Sequence, residues 1–177
     1  MTDTFTVERL APGTSRDAYL PLLLLADEPE PLRGYLDDGD LYVLREVDGD
    51  AVGVTLTLPY RDEAETVELK AVAIAANQHN RGLGQTMLRG VLDDLAAREV
   101  RRVVVGTSNA GIGQIAFYQK IGFRFWRIER DYFTGDKGYD PDERENGLAH
   151  RDMVWFDMDL AILDRDDDST TGPMKVE

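Results

Sequence analysis

Gly82 and Gly84 stand two residues apart, between the apolar run Val72, Ala73, Ile74, Ala75 and a segment in which Leu83, Met87, Leu88, Val91, Leu92 and Leu95 recur at helical spacing. A strand, a glycine loop and a helix in that order present the unpaired N–H groups and partial positive charge of a helix start, which suit a phosphate. Neither glycine has a Cβ to keep a ligand from the backbone. Two common phosphate loops do not fit. Gly84 is followed by Gln85 and Thr86 rather than Lys and Ser/Thr, and the dinucleotide fingerprint needs a glycine where Met87 stands. A tight strand-to-helix turn with no ligand would have the same local sequence. The chain has no cysteine, which excludes disulfides, thiolate metal sites and a cysteine nucleophile. Its two histidines, His79 and His150, are far apart, so no metal site is expected. Any group transfer is therefore expected to pass directly from donor to acceptor.

Two stretches resemble the Gcn5-related N-acetyltransferases. His79-Asn80-Arg81-Gly82-Leu83-Gly84 is similar to their [Gln/Arg]-x-x-Gly-x-[Gly/Ala] loop, with His79 where Gln or Arg is usual, and the likeness extends back through E-L-K-A-V-A-I from Glu68. Ala116-Phe117-Tyr118-Gln119-Lys120-Ile121-Gly122-Phe123 resembles the family's Ala-x-[Leu/Phe]-Tyr-x-x-x-Gly-Phe segment, and the likeness covers residues 66–132. It implies the acyl-CoA N-acyltransferase fold, acetyl-CoA as co-substrate and a primary amine as acceptor. It also implies that the pyrophosphate is bound by the main chain from His79 through Asn80, Arg81, Gly82, Leu83 and Gly84 to Gln85, with Val72, Ala73 and Ile74 beside the rest of the cofactor. Asn109 resembles an Asn that binds the pantetheine arm or the main chain next to it, although it lies nine residues before Tyr118, two more than is common.

The catalytic roles follow from the same resemblance. Tyr118 is the implied acid, protonating the thiolate that leaves a thioester. A free thiol has a pKa of about 8.5 and tyrosine about 10, so full transfer in water is uphill by roughly 2 kcal/mol and the phenol helps most while charge is developing. A main-chain N–H near Ile74 is the implied oxyanion donor. A protonated amine has no lone pair, so Glu68 is the candidate base, with His150, Asp131 and Glu145 as alternatives. Glu68 and Lys70 are expected on one strand face and Leu69 and Ala71 on the other, and a Glu68–Lys70 pair at a strand end would explain the same residues without catalysis. The function that competes with transfer is an acyl-CoA-binding module without turnover. Homodimers are frequent in the family, which makes a homodimer an implied state.

The 177 residues suit one domain, expected over 1–163, with an acidic, disordered tail over 164–177. No apolar run approaches the ~20 residues of a membrane span, and no basic segment precedes an apolar one at the start, so a cytoplasmic protein is expected. The net charge of −14 argues against nucleic acid as partner. From Asp131 onward there are 14 acidic and 5 basic residues. An acidic acceptor side would favour a cationic amine, while Arg81, Arg89 and Lys120 can flank the phosphates. Only four lysines, with 22 Asp against 12 Glu, is the bias of a protein adapted to salt. The melting temperature is therefore expected to rise steadily with KCl over the molar range as carboxylate repulsion is screened; a flat response leaves the bias as solubility alone.

The elements that must position these residues are legible as an α/β order. Residues 4–10 alternate as a first strand, and Thr14 or Ser15 can cap a helix to about Ala26, with Pro21 awkward inside it. Pro29, Pro31 and Gly34 bracket a loop and a short second helix, whose Tyr35 adjoins the implied acceptor site. Strands over 41–47 and 52–58 are joined by Asp48-Gly49-Asp50, a hairpin signal. A strand over 66–76, the helix to Glu99 and a strand over 102–106 form a βαβ unit with parallel strands. A helix over 113–121 ends at Gly122. Strands over 123–133 and 151–160 close the chain, with a solvent loop at 139–147. The expected whole is a mixed, mostly antiparallel sheet with helices on both faces.

Overall fold

Apolar and alternating runs form one seven-stranded sheet in this computed structural model, which describes residues 5–47 and 49–162. The strands are β1 (Phe5–Arg9), β2 (Asp40–Glu46), β3 (Ala51–Pro59), β4 (Thr66–Ile74), β5 (Arg102–Ser108) and β6 (Arg124–Glu129). A small hairpin of β7 (Arg144–Glu145) and β8 (Leu148–Ala149) precedes the last strand of the main sheet, β9 (Met153–Asp159). Spatial order is β1-β2-β3-β4-β5-β9-β6, and only β4 and β5 run parallel. That is the mixed sheet the sequence predicts, with its single βαβ unit. Among the described residues no helix is long and apolar enough to cross a membrane. The expected tail at 164–177 lies outside the described residues, as does Asp48 of the β2–β3 hairpin.

Each face of the sheet buries a different helix pair. Helix α3 (Leu83–Ala97) turns Leu88, Val91, Leu92 and Leu95 onto Leu69, Val103 and Val105, and α4 (Ile112–Ile121) adds Tyr118 to the same cluster. The opposite face is covered by α1 (Leu20–Leu23) and α2 (Pro29–Arg33), whose Leu23 and Leu32 pack with Tyr35 on Val43, Val54, Leu56, Ala71 and Ala73. Gly122 ends α4 at φ +121°, in the C-cap role expected of it.

Three expectations are corrected. The long first helix is a 3₁₀ turn (Asp17–Tyr19) followed by the four residues of α1, and Pro21 sits in the first turn of α1, where its missing N–H leaves no helical bond unmade. Neither Thr14 nor Ser15 caps it; their hydroxyls bond Ala11 O and the Asp17 carboxylate. The strand expected over 123–133 stops at Glu129, because the register slips at Trp126 and Asp131 turns the chain at φ +54°. The solvent loop expected at 139–147 contains β7 and leads into β8.

A fourth correction makes the site. Opposite β3, Leu56 pairs with Ala71 and Thr57 with Leu69, so Lys70 is an extra residue, a β-bulge. The extra residue resets the alternation: Leu69 faces α3, but Ala71 turns to the α1–α2 face instead of sharing a face with Leu69. Pairing of β4 with β5 covers only Thr66–Arg102 through Leu69–Val105 and stops at the bulge. Beyond it both strands continue without each other, and a gap opens in the middle of the sheet.

Candidate active site

The gap continues into a cleft of about 680 Å³ between β4, the loop after it, the start of α3 and α4. Val72, Ala73, Ile74, His79, Asn80, Gly82, Leu83, Gly84, Gln85 and Tyr118 all line it. Ala75 N–H donates to Val52 O at 2.8 Å. Backbone groups alternate in direction along an antiparallel strand, so Val72 and Ile74 turn theirs away from β3 and towards the gap. The Ile74 carbonyl is taken by His79 Nε2 at 2.9 Å; a carbonyl only accepts, so that ring nitrogen carries the proton. This bond ties the loop to the end of β4, leaving the Ile74 N–H and both Val72 groups facing the gap.

The helix start supplies the rest of a phosphate cradle. The first bond of α3 is Thr86 N–H to Gly82 O at 3.1 Å, so the N–H groups of Leu83, Gly84 and Gln85 precede the helical ladder. Gly82 holds φ +74°, a left-handed conformation that lets the chain turn into the helix. Gly84 matters for another reason: a Cβ there would lie 3.1 Å from the Phe117 ring, which would have to give by a few tenths of an ångström. Among the described residues no carboxylate lines the cleft and Lys120 does, so the surface an anion would meet does not carry the net negative charge of the chain. These features fit a pyrophosphate and its arm. Gly84→Val is expected to push Phe117 and the helix start apart and weaken acetyl-CoA binding at least tenfold, about 1.4 kcal/mol. Unchanged affinity by calorimetry in the folded variant would reduce the loop to a turn. His79→Ala keeps every main-chain donor and is expected to cost much less.

Tyr118 is 6 % exposed, packed edge-on against Phe117 and Phe123 at ring distances of 5.3 and 5.8 Å. Its hydroxyl has no hydrogen-bond partner among the described residues, and burial pushes the phenol above its ordinary value. It therefore stays protonated and has a proton to donate. Glu68 approaches from the other face of the sheet, on the last paired stretch of β4. It lies 3.5 Å from the Lys70 ammonium, and both side chains are largely buried. Burial works against the ammonium, but Glu68, Tyr132 and Asp27 outweigh it and hold Lys70 above its usual range. Around this pair stand Tyr35, whose hydroxyl donates to Asp27 Oδ2 at 2.7 Å, and Tyr139, beside Asp27 and Tyr132. Tyr35 is buried, and the Lys70 ammonium lies 5.2 Å from the centre of its ring.

Other predicted residues are placed differently. Asn109 does not line the cleft. Its Oδ1 accepts the N–H groups of Arg151 and Asp152, both at 2.9 Å, and its Nδ2 donates to Ala149 O at 3.1 Å, so the side chain clamps the approach to β9. Arg81 bonds the Gln78 side chain and lies over the Phe5 ring, and Arg89 is exposed on α3 outside the cleft. His150 and Asp131 line a second cleft; His150 is 3.8 Å from Glu145 and Asp131 pairs with Arg151. Gln78, Gly113, Gln114 and Phe117 also line the first cleft, and no sequence signal singled them out except the place of Phe117 beside Tyr118. Among the described residues no group of three or more His, Asp or Glu side chains is placed to hold a metal ion.

Known proteins share this fold. The family model described as Acetyltransferase (GNAT) family matches residues 9–123. A Bacillus subtilis protein named as an N-acetyltransferase, YvbK, is 33 % identical over 147 residues, which cover 82 % of this chain and 92 % of YvbK. A GNAT family acetyltransferase from Elizabethkingia anophelis, solved with acetyl-CoA bound, superposes with a TM-score of 0.78 at 32 % identity, covering 89 % of this chain and 99 % of that one. A Bacillus subtilis acetyltransferase solved in complex with CoA gives 0.76 at 31 % identity, over 88 % and 99 %. Glycine loop, split sheet, buried tyrosine and these likenesses lead to one conclusion: the chain is an acyltransferase and belongs to the GNAT acetyltransferase family.

Proposed function

We infer that the protein transfers the acetyl group of acetyl-CoA directly to a primary amine, with Tyr118 as acid and Glu68 as base. The observation that carries this reading is the break between β4 and β5 after Leu69, flanked on one face by the Tyr118 phenol and on the other by the Glu68 carboxylate. Bound acetyl-CoA supplies an acetyl thioester. The N–H groups at the start of α3 hold its phosphates, and the Val72 and Ile74 main chain orients its arm in the gap. The Ile74 N–H faces the gap and hydrogen-bonds the carbonyl oxygen as negative charge builds on it. Glu68 accepts a proton from the incoming ammonium, giving the nitrogen its lone pair. Tyr118, kept neutral by burial, directs its O–H towards the sulfur as that atom gains charge. A screen of amines for thiol release tests the reading. Release that needs both acetyl-CoA and an amine supports it; tight binding of acetyl-CoA with no amine-dependent release would leave an acyl-CoA-binding module instead.

A further inference from the structure

The excursion between β6 and β9 folds back on the ends of β5 and β9 and encloses the second cleft, about 660 Å³. This is the end of the sheet at which the β4–β5 gap opens, since both strands point that way. Phe133 and Leu148 give it apolar walls; among the described residues Arg144 and Arg151 line it with one carboxylate, Asp131, and with His150, whose ring lies 3.8 Å from Glu145. In a chain with a net charge of −14, and in the part of it richest in acid, that is a local reversal of sign. It adds guanidinium groups to a side that the sequence marks mainly as acidic.

The two guanidinium groups are open to exchange. Arg144 is exposed and has no ion pair among the described residues. Arg151 lies 3.5 Å from Asp131 with both side chains at least 70 % exposed, a pair that contributes little in water. Their backbone, by contrast, is fixed. Asn109 clamps residues 149 to 152, and Asn146 Nδ2 donates to Ala110 O at 3.0 Å, pinning the turn between β7 and β8. The cleft adjoins the face that carries Glu68: the Phe133 ring is 5.1 Å from Tyr132 and 4.9 Å from Tyr139, and those rings border Lys70 and Asp27.

We propose that this cleft receives the carboxylate and apolar body of the acceptor, so that the acceptor is an amine that also bears a carboxylate, with Arg144 and Arg151 as its specificity-determining residues. A guanidinium pairs a carboxylate through two parallel N–H bonds, which gives direction as well as charge. An acceptor without the carboxylate leaves those groups to water and forgoes the discrimination. The proposal rests on the acetyl-transfer reading above.

The test compares matched acceptors at short and long spacing of the two groups: phenylalanine against phenethylamine, and 6-aminohexanoate against hexylamine. Thiol release is followed in the wild type and in Arg144→Gln/Arg151→Gln, which keeps both exposed side chains long and polar. The acid of at least one pair is expected to exceed its partner at least tenfold in kcat/KM. The double variant should bring that pair within about twofold while leaving turnover of the plain amine and affinity for acetyl-CoA unchanged. Equal rates within both pairs, or a preference that survives in the variant, would overturn the proposal while leaving acetyl transfer intact. No amine-dependent release from any of the four would overturn the transfer reading and this proposal with it.

Discussion

Tyr118→Phe is expected to lower turnover about 10²-fold and to leave the affinity for acetyl-CoA unchanged. General acid catalysis contributes typically 10²–10⁴-fold, and the lower end is expected because water in the cleft can partly replace the phenol. The substitution keeps the ring, so its contacts with Phe117, Phe123 and Phe156 survive and the core around α4 is preserved. It also leaves no buried group unpaired, since the hydroxyl has no protein partner among the described residues to lose. The loss should fall on kcat and kcat/KM alike, the pattern of an interaction made only as charge develops. Burial fixes the pH behaviour too. The phenol lies above its ordinary pKa of about 10, so the acid is protonated at every pH below that value, and raising the pH should not disable it. The wild-type rate should rise with pH and level off, with no falling limb from this residue in that range. Full activity in Tyr118→Phe, measured by thiol release, would remove the tyrosine from the mechanism.

What the chain's sequence displays of this site is its apolar periodicity and its glycines. The run from Val72 to Ala75, the helical spacing from Leu83 to Leu95 and the valines of β5 are local patterns, and each formed the element it predicts. Tyr118 and the loop from His79 to Gln85 came with them, because a strand, a short loop and a helix fix their own ends. The bulge at Lys70 is different. It arises from pairing between β3 and β4, a relation between distant residues, and strict alternation hid it, placing Ala71 on the wrong face. The hydrogen bonds of Asn109 were illegible for a similar reason: its partners Ala149, Arg151 and Asp152 are about 40 residues away, beyond the reach of a local motif. Pro21 is awkward only in a helix that runs to Ala26; in the four residues of α1 its rigidity marks the first turn. The acceptor side was the least legible. Tyr35, Tyr132 and Tyr139 lie on loops, and Arg144 on the two-residue strand β7, in segments whose course depends on tertiary contacts such as the Tyr35–Asp27 bond.

Glu68→Gln should produce a defect that depends on pH, and that dependence separates a base from a structural partner. The carboxylate lies 3.5 Å from Lys70, and an ion pair would explain its position without any chemistry. If the pair is all, Glu68→Gln removes the countercharge of a largely buried ammonium and harms the enzyme by the same factor at every pH where that ammonium persists. If Glu68 takes the proton of the acceptor, its loss matters most where the acceptor is protonated. The deficit, about 10²-fold near neutral pH, should shrink as pH rises towards the amine's own pKa of about 10, where the lone pair is free without help. Tyr118→Phe offers the contrast: alkali supplies a lone pair but no acid, so its deficit should persist. Lys70 needs its own control, because without Glu68 burial works against its ammonium with less opposition, and its pKa should fall. A neutral Lys70 amine could then accept the proton and imitate rescue. Glu68→Gln/Lys70→Met removes that route, and rescue by alkali should survive in it. A deficit independent of pH in both variants would demote Glu68 to holding Lys70 in place. His150, Asp131 and Glu145 would then be tested by the same pH profile, in folded variants of the β6–β9 excursion.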